Sequence, residues 1–320
     1  MKILITGISG QDGVFLTRLI NKKHVNFRII GTSRNISKKD FIQIAKQDIQ
    51  NLEIVNLELT NFKKVNKLIK DYEPDIVFNL SGPSSVYESI LNSNIENEIV
   101  TIFENLTKSL IENNNFCKFF QASSSEMYGL NNEEKIYSEK SLFLPNSPYA
   151  KGKLDNHKKV KELKEKYNWE IFSGIMFNHE SEFRNADYLF MKIINTAMEI
   201  KNRSKKHLTI GSLNIVRDWS YAEDIVEGVY EIVMNGKSYD YILGSGIGTS
   251  INQVVDIIFT YFELDYKKFT KIDTSILRKN DPEIIISNPH KTEKEIGWTT
   301  SKKIEDFLPL IIDKHLALNN

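Results

Sequence analysis

The chain has 320 residues, 41% of them apolar, enough for one large α/β domain or two smaller ones around a sizeable core. Its 42 basic and 42 acidic side chains balance, which leaves no electrostatic footprint for nucleic acid or an anionic membrane surface. A lone cysteine, Cys117, excludes an internal disulfide and a cysteine-based zinc site, and no metal is expected.

The first residues, "MKILITG", read as a strand entering a glycine loop. They lack the apolar stretch of about 7–15 residues that marks a signal peptide. No apolar run approaches the roughly 20 residues of a membrane-spanning helix, so the expectation is a soluble, cytoplasmic protein. In "TGISGQDG" (6–13), Gly7, Gly10 and Gly13 give the spacing GxxGxxG ahead of a helix, "VFLTRLINKK". Gly7 suits a tight turn, Gly10 the approach of a pyrophosphate, and Gly13 close packing of helix on strand. Three turn glycines are the plain alternative; the strand before and the helix after favour dinucleotide binding.

"FRIIGTS" (27–33) follows as a second strand and leads into Ser33 and Arg34, with no carboxylate there for an adenosine ribose. An arginine suits a 2′-phosphate, so NADP is expected in preference to NAD. "LEIVNLEL" (52–59), "DIVFNLS" (75–81), "KFFQASS" (118–124) and "EIFSGIMF" (170–177) continue the strand series. Their apolar runs are continuous, as in a parallel sheet covered on both faces. Between them "NFKKVNKLIKDY" (61–72) places apolar residues at 62, 65, 68 and 69, a helical stripe. Strand and helix alternate, which predicts a doubly wound α/β sheet of the Rossmann type.

The stretch "FFQASSSEMYG" (119–129) ends a strand in three serines and Glu126. In a doubly wound sheet such an end points at the ligand crevice. Beyond it, Ser147 and Pro148 predict a helix start, and Tyr149 and Lys153, four apart, share one helical face. A free tyrosine titrates near pH 10, and bringing it to about 7 takes about 4 kcal/mol. One ammonium at about 4 Å supplies about that much at an effective dielectric near 20. Lys153 is therefore expected to turn Tyr149 into a base. After about residue 178 the pattern loosens. "DYLFMKIINTAMEI" (187–200) and "YAEDIVEGVYEIVM" (221–234) read as helices, "LTIGSL" (208–213) as a strand, and "YDYILGSG" (239–246) as a return to the sheet. The expected division is a dinucleotide-binding domain over 1–177 and a mainly substrate-binding region over 178–320, with segments returning to the first sheet.

These residues resemble the extended short-chain dehydrogenase/reductases and, within them, the GDP-mannose 4,6-dehydratases. The likeness spans nearly the whole chain: "TGISGQDG", "FQASSSEMYG", "PNSPYAKGK", "GIMFNHES" (174–181), "IVRDWSYAEDIVEG" (215–228) and "ILRKNDPEIIISNPHKTEKEIGW" (276–298) carry it. It implies a GDP-sugar 4,6-dehydratase that oxidises carbon 4, loses water across carbons 5 and 6, and returns the hydride to carbon 6. NADP would be tightly held and recycled. Ser124, where threonine is usual, would hold the 4-hydroxyl beside Ser125. Glu126 would handle the proton on carbon 5, with Tyr149 as base and Lys153 tuning it. The cofactor would meet Gly7, Ile8, Ser9, Gly10, Gln11, Asp12, Gly13, Glu58 and Leu59. It would also meet Leu80, Ser81, Gly82, Pro83, Ser84, Tyr149, Lys153, His179 and Arg184. The nucleotide sugar would meet Ser85, Asn178, Lys192, Arg217 and Arg278. Surface ion pairing is the plain alternative for the two last arginines.

Departures from the family concern the sugar. "SGPSSVYES" (81–89) replaces a stretch that usually holds glutamine and histidine, and "NHESEFRNADY" (178–188) lacks a usual proline and arginine. The small residues Pro83, Ser84 and Ser85 leave room beside carbon 2, which sets GDP-N-acetylglucosamine slightly ahead of GDP-mannose and a heptose behind both. A nucleotide-sugar 4-epimerase or 4-reductase is the competing enzyme reading, against which Glu126 argues. A non-enzymatic NADP-binding regulatory protein is the other. The family also implies a homodimer or homotetramer.

Overall fold

The computed structural model describes residues 1–130, 134–277 and 281–319. The chain opens with β1 (Lys2–Thr6), α1 (Gln11–Lys23), β2 (Arg28–Ser33), α2 (Lys38–Ala45), β3 (Leu52–Asn56) and α3 (Phe62–Tyr72). It continues through β4 (Ile76–Asn79), α4 (Val86–Leu91), α5 (Asn94–Glu112) and β5 (Lys118–Ser124), which ends in a 3₁₀ turn, Ser125–Tyr128. Then come β6 (Ile136–Tyr137), α6 (Pro148–Tyr167), β7 (Ile171–Met176), β8 (Asn178–Glu180) and α7 (Leu189–Lys201). After β9 (Leu208–Ile210) follow β10 (Val216–Tyr221), α8 (Ala222–Asn235), β11 (Asp240–Leu243), β12 (Gly248–Ser250) and α9 (Ile251–Tyr261). The last elements are α10 (Tyr266–Phe269), β13 (Thr270–Ile272), β14 (Ile284–Ser287), α11 (His290–Ile296) and α12 (Ile304–Asn319).

Seven strands form the main sheet in the order β11-β7-β5-β4-β1-β2-β3, every pair parallel. Successive strand residues enter opposite cores. Ile3, Ile5, Ile29, Phe78, Phe120 and Phe172 join one apolar cluster, and Leu4, Ile30, Val77, Phe119 and Ile171 join the other. Burial on both faces is why these strands read as unbroken apolar runs. The strand order reverses between β1 and β4, so a crevice opens at their carboxyl ends.

"YDYILGSG" does return to the sheet: β11 pairs with β7, Leu243 opposite Met176. Several strands are shorter than their apolar runs. β3 stops at Asn56 and β4 at Asn79, and the remaining residues of each run, 57–59 and 80–81, leave the sheet for the crevice. The segment 208–213 is strand only over β9, which pairs with β13.

A second sheet has the order β12-β10-β14-β6, with β8 paired to β10. β10 is its hub. Trp219, Ser220 and Tyr221 pair with Asn178, His179 and Glu180 of β8, while Val216 and Arg217 pair with both β12 and β14. Sequence reading missed β6, β8, β12 and β14, each of two to four residues, because partners far along the chain define them. Among the described residues, no helix is long and apolar enough to cross a membrane.

Candidate active site

The glycine loop sits at one wall of the crevice. Gly7 has φ +70°, and a Cβ there would stand 2.9 Å from the Leu80 carbonyl oxygen and the Ser81 nitrogen. A Cβ on Gly13 would meet the Ile8 carbonyl at 2.5 Å, so α1 packs tightly on β1 only because that position is glycine. Gly10 differs: its nearest neighbour would be the Gly7 carbonyl at 3.4 Å, which leaves the space above the loop open. Gly10 is also the N-cap of α1 and provides no side-chain cap, so the first-turn N–H groups suit an anion.

A cavity of about 460 Å³ lies over this loop. Its walls include Gly7, Ser9 to Gly13, Ser33, Arg34, Glu58, Leu59, Leu80 to Gly82, Ser84 and Arg184. Thus most of the expected cofactor positions line one elongated space. Its open loop and uncapped helix end fit a dinucleotide. Ile8 points away, fully buried in the core. Sequence reading did not find Glu98 of α5, which lines the same cavity 3.7 Å from the Arg34 guanidinium. No local signal marks it, since α5 reaches the crevice only through the sheet order. A hollow of about 640 Å³ at the opposite end of β1–β3 is lined by Met1, Arg28 and Glu53, and among the described residues no helix begins in its lining.

Across the crevice, the polar strand ends form a network. Thr6 and Ser81 both donate to Asn79 Oδ1 at 2.7 Å, and Asn79 donates to Gln121 Oε1 at 2.7 Å. Gln121 and Lys153 both donate to the Ala122 carbonyl, at 2.9 and 2.8 Å. Ser84 is hydrogen-bonded to the Tyr188 hydroxyl at 2.8 Å. Ser85 is the N-cap of α4, accepting from the Glu88 N–H at 3.1 Å.

β5 delivers Ser124, Ser125 and Glu126 to the crevice, and α6 delivers Tyr149 and Lys153 opposite them. Ser147 caps α6 by accepting from the Ala150 N–H at 3.1 Å, with Pro148 in the first turn. Ser124 Oγ accepts from the Glu126 N–H at 3.2 Å, and the Ser124 side chain and the Glu126 charge both act on the Tyr149 hydroxyl. Ser125 is buried. The four expected catalytic side chains are therefore gathered.

Their protonation differs from the sequence expectation. Burial pushes Tyr149 up to about 12, and the Glu126 charge adds to this while Ser124 and Arg184 oppose it. Burial also brings Lys153 down to about 8 against the pull of Asp12. The ammonium points at the Ala122 carbonyl and lies 5.6 Å from the centre of the tyrosine ring. Helical spacing set the separation of the two residues but not the direction of the lysine head. Within the protein alone, desolvation of the phenolate outweighs the lysine.

Asn178 and His179 lie on β8. Both His179 ring nitrogens face acceptors, Nδ1 the Phe177 carbonyl at 2.7 Å and Nε2 the Asp12 carboxylate at 3.2 Å. Arg184 packs over the Tyr188 ring at 3.9 Å with Nε 3.4 Å from Glu180. Lys192 is exposed on the first turn of α7. Arg217 is buried, paired with Asp281 at 2.8 Å and donating to the Val216 carbonyl at 2.8 Å. The pair is a buried one, not the surface ion pair weighed for it. Arg278 lies outside the described residues.

The sequence profile described as GDP-mannose 4,6 dehydratase matches residues 4–310. GDP-mannose 4,6 dehydratase 2 of Arabidopsis thaliana is 29% identical over 325 residues, covering 98% of this chain and 87% of its own length. The dTDP-glucose 4,6-dehydratase of Bacillus anthracis, solved with NAD, superposes with a TM-score of 0.85 at 20% identity over 99% of this chain and 97% of its own. RMD from Pseudomonas aeruginosa, solved with NADPH, gives a TM-score of 0.83 at 16% identity, over 99% of each chain. At these identities the two structures speak for the fold alone.

Proposed function

The chain belongs to the GDP-mannose 4,6 dehydratase family, and we propose that it converts a GDP-linked hexose to the GDP-4-keto-6-deoxy sugar with loss of water. The observation that carries this reading is the meeting of Ser124, Glu126 and Tyr149 at the carboxyl end of β5, beside the glycine-loop cavity. A 4-epimerase or 4-reductase needs a tyrosine but has no use for a carboxylate at Glu126.

In this reading Ser124 holds the sugar's 4-hydroxyl and Tyr149 takes its proton. Oxidation at carbon 4 makes the proton on carbon 5 acidic. Glu126 removes that proton, and hydroxide leaves carbon 6 with a proton from the site, so the balance is one water lost. A nicotinamide cofactor, when bound, supplies a hydride acceptor that becomes the donor to carbon 6, and a positive ring charge in its oxidised form. The residues that would hold it are the glycine loop, Ser33, Arg34, Glu58, Leu59 and Leu80 to Gly82. Arg34 at the cavity supports NADP. Lys153, fixed on Ala122, would hold a ribose hydroxyl beside Tyr149 and add charge there.

For the hexose, the small residues Pro83, Ser84 and Ser85 are what spoke for an acetamido group. Of the hydroxyls that reading needed, Ser84 is bonded to the Tyr188 hydroxyl, and the Ser85 oxygen accepts from the Glu88 N–H in the first turn of α4. That engagement now favours mannose over N-acetylglucosamine. The test is direct competition between GDP-mannose and GDP-N-acetylglucosamine, with loss of one water followed by mass spectrometry. Turnover of neither, nor of a GDP-heptose, removes the dehydratase reading. A preference for the N-acetyl sugar by tenfold or more in kcat/KM, about 1.4 kcal/mol, reverses the choice of hexose.

A further inference from the structure

The helix that follows the glycine loop is tied to the substrate-side strand by four side chains. Gln11 donates through Nε2 to the His179 carbonyl at 3.2 Å and accepts at Oε1 from Ser181 Oγ at 2.8 Å. Asp12 faces His179 Nε2 at 3.2 Å, while Nδ1 of the same ring faces the Phe177 carbonyl at 2.7 Å. Gln11 and Ser181 are buried. A neutral imidazole donates through one nitrogen only. With an acceptor at each, the ring satisfies both only as imidazolium. Its two nitrogens are thus spent within the protein, which argues against His179 as a direct side-chain ligand of the cofactor.

We propose that His179 is a positioning residue, whose imidazolium locks Asp12 and with it the glycine-loop end of α1 onto β8, so that cofactor retention loosens as His179 loses its proton. This rests on the dinucleotide reading of the cavity. The charges around the ring are those of Asp12 from α1, Glu180 on the same strand, Arg184 from the following loop, and Lys153 from α6 acting on Asp12. Burial alone would lower the His179 pKa; the charge and hydrogen bond of Asp12 raise it above 6.5 overall. Burial would raise the Asp12 pKa; His179 brings it below 3.8 overall. The sign follows. The imidazolium's contribution is complete below about pH 6.5 and is lost as pH rises through the raised value. The carboxylate's contribution is complete above about pH 3.8 and is lost as pH falls through the lowered value. A cofactor that is regenerated in each cycle gains from a site that releases it slowly, and this clasp closes the wall on which its pyrophosphate would rest.

The experiment follows release of NADPH by its fluorescence, and amide hydrogen exchange of residues 10–16 in the cofactor-free protein, from pH 6 to pH 9. In the wild type, release should quicken roughly tenfold across that range, as loss of one charge-assisted hydrogen bond allows. Exchange, corrected for its intrinsic pH dependence, should quicken with it. His179→Gln should be fast and His179→Arg slow across the range, each having lost the part of the profile that His179 supplies and keeping only what Lys153, at about 8, contributes. Ser181→Ala should quicken release at every pH and keep the profile, which serves if the His179 variants do not fold. Equal pH profiles in wild type and a folded His179→Gln overturn the clasp. So does a flat wild-type profile in exchange. Failure to bind any dinucleotide overturns the functional reading instead, and the exchange data still decide on the clasp.

Discussion

Two titratable pairs face each other across the crevice, and the same burial sends them in opposite directions. On the β5–α6 side, Tyr149 rises to about 12 and Lys153 falls to about 8, so both move toward their neutral forms. On the α1–β8 side, Asp12 falls and His179 rises, so both move toward their charged forms. The difference is contact. Asp12 and His179 meet at 3.2 Å and share a hydrogen bond, whereas Lys153 spends its ammonium on a backbone carbonyl. Direct contact repays desolvation; mere proximity on one helical face does not. The first pair is held closer to its neutral forms, with Lys153 brought near to titration at neutral pH, which suits chemistry. The second is already charged, which suits a fixed wall.

The sharpest way to break this contrast is to remove the chargeable group. Tyr149→Phe should lower dehydration by at least roughly 10²–10⁴-fold, the range for a lost acid–base group. Binding of the nucleotide sugar, read by calorimetry, should persist, since Phe keeps the ring buried at 9% exposure. Wild-type-like turnover would take Tyr149 out of the mechanism. Glu126→Gln should cost dehydration a similar factor while oxidation at carbon 4 continues. Reduced nicotinamide absorbance should then accumulate on the enzyme. Normal water loss in that variant would make Glu126 structural.

Lys153→Met tests the first pair through stability. The Lys153 pKa falls from 10.5 to about 8 on folding, so the unfolded chain binds more protons between those values and stability rises with pH through that window. Holding the ammonium buried at pH 7 therefore costs about 3 kcal/mol at about 1.4 kcal/mol per unit, less about 1 kcal/mol for the bond to Ala122. The cofactor-free variant should be about 2 kcal/mol more stable than wild type at pH 7 and gain nothing near pH 10.5. Denaturant unfolding at the two pH values measures this. Equal stability at pH 7 would mean that water or a charge solvates the ammonium after all.

How legible all this was in the sequence depended on range. The loop glycines, the cap of α6 and the strands of the main sheet are local patterns, and each lies within the stretch its pattern marked, though β3, β4 and β11 are shorter than their runs. Asp12 and His179 are 167 positions apart, Arg34 and Glu98 come from different layers, and Arg217 meets Asp281 across β10 and β14. Only the fold brings such partners together. The Tyr149–Lys153 spacing was legible too, yet its electrostatic consequence was not, because it turns on a rotamer that aims at Ala122.

A third pair extends the comparison to solvent. Arg34 and Glu98 stand 3.7 Å apart with side chains 68% and 30% exposed. Water and salt screen such a pair, which is worth at most about 1 kcal/mol. The guanidinium is thus held weakly, and a 2′-phosphate offering a bidentate, doubly charged partner would draw it away. Arg34→Asp should lower the affinity for NADP relative to NAD by roughly tenfold, about 1.4 kcal/mol, at low salt and by less at high salt. Glu98→Gln should move the ratio the other way by a smaller factor, since it removes only a weak competitor. Fluorescence titration of the two reduced cofactors measures both. An unchanged ratio in Arg34→Asp, or NAD alone released from the denatured wild type, would show that Arg34 stays with Glu98 and that the cavity is built for NAD.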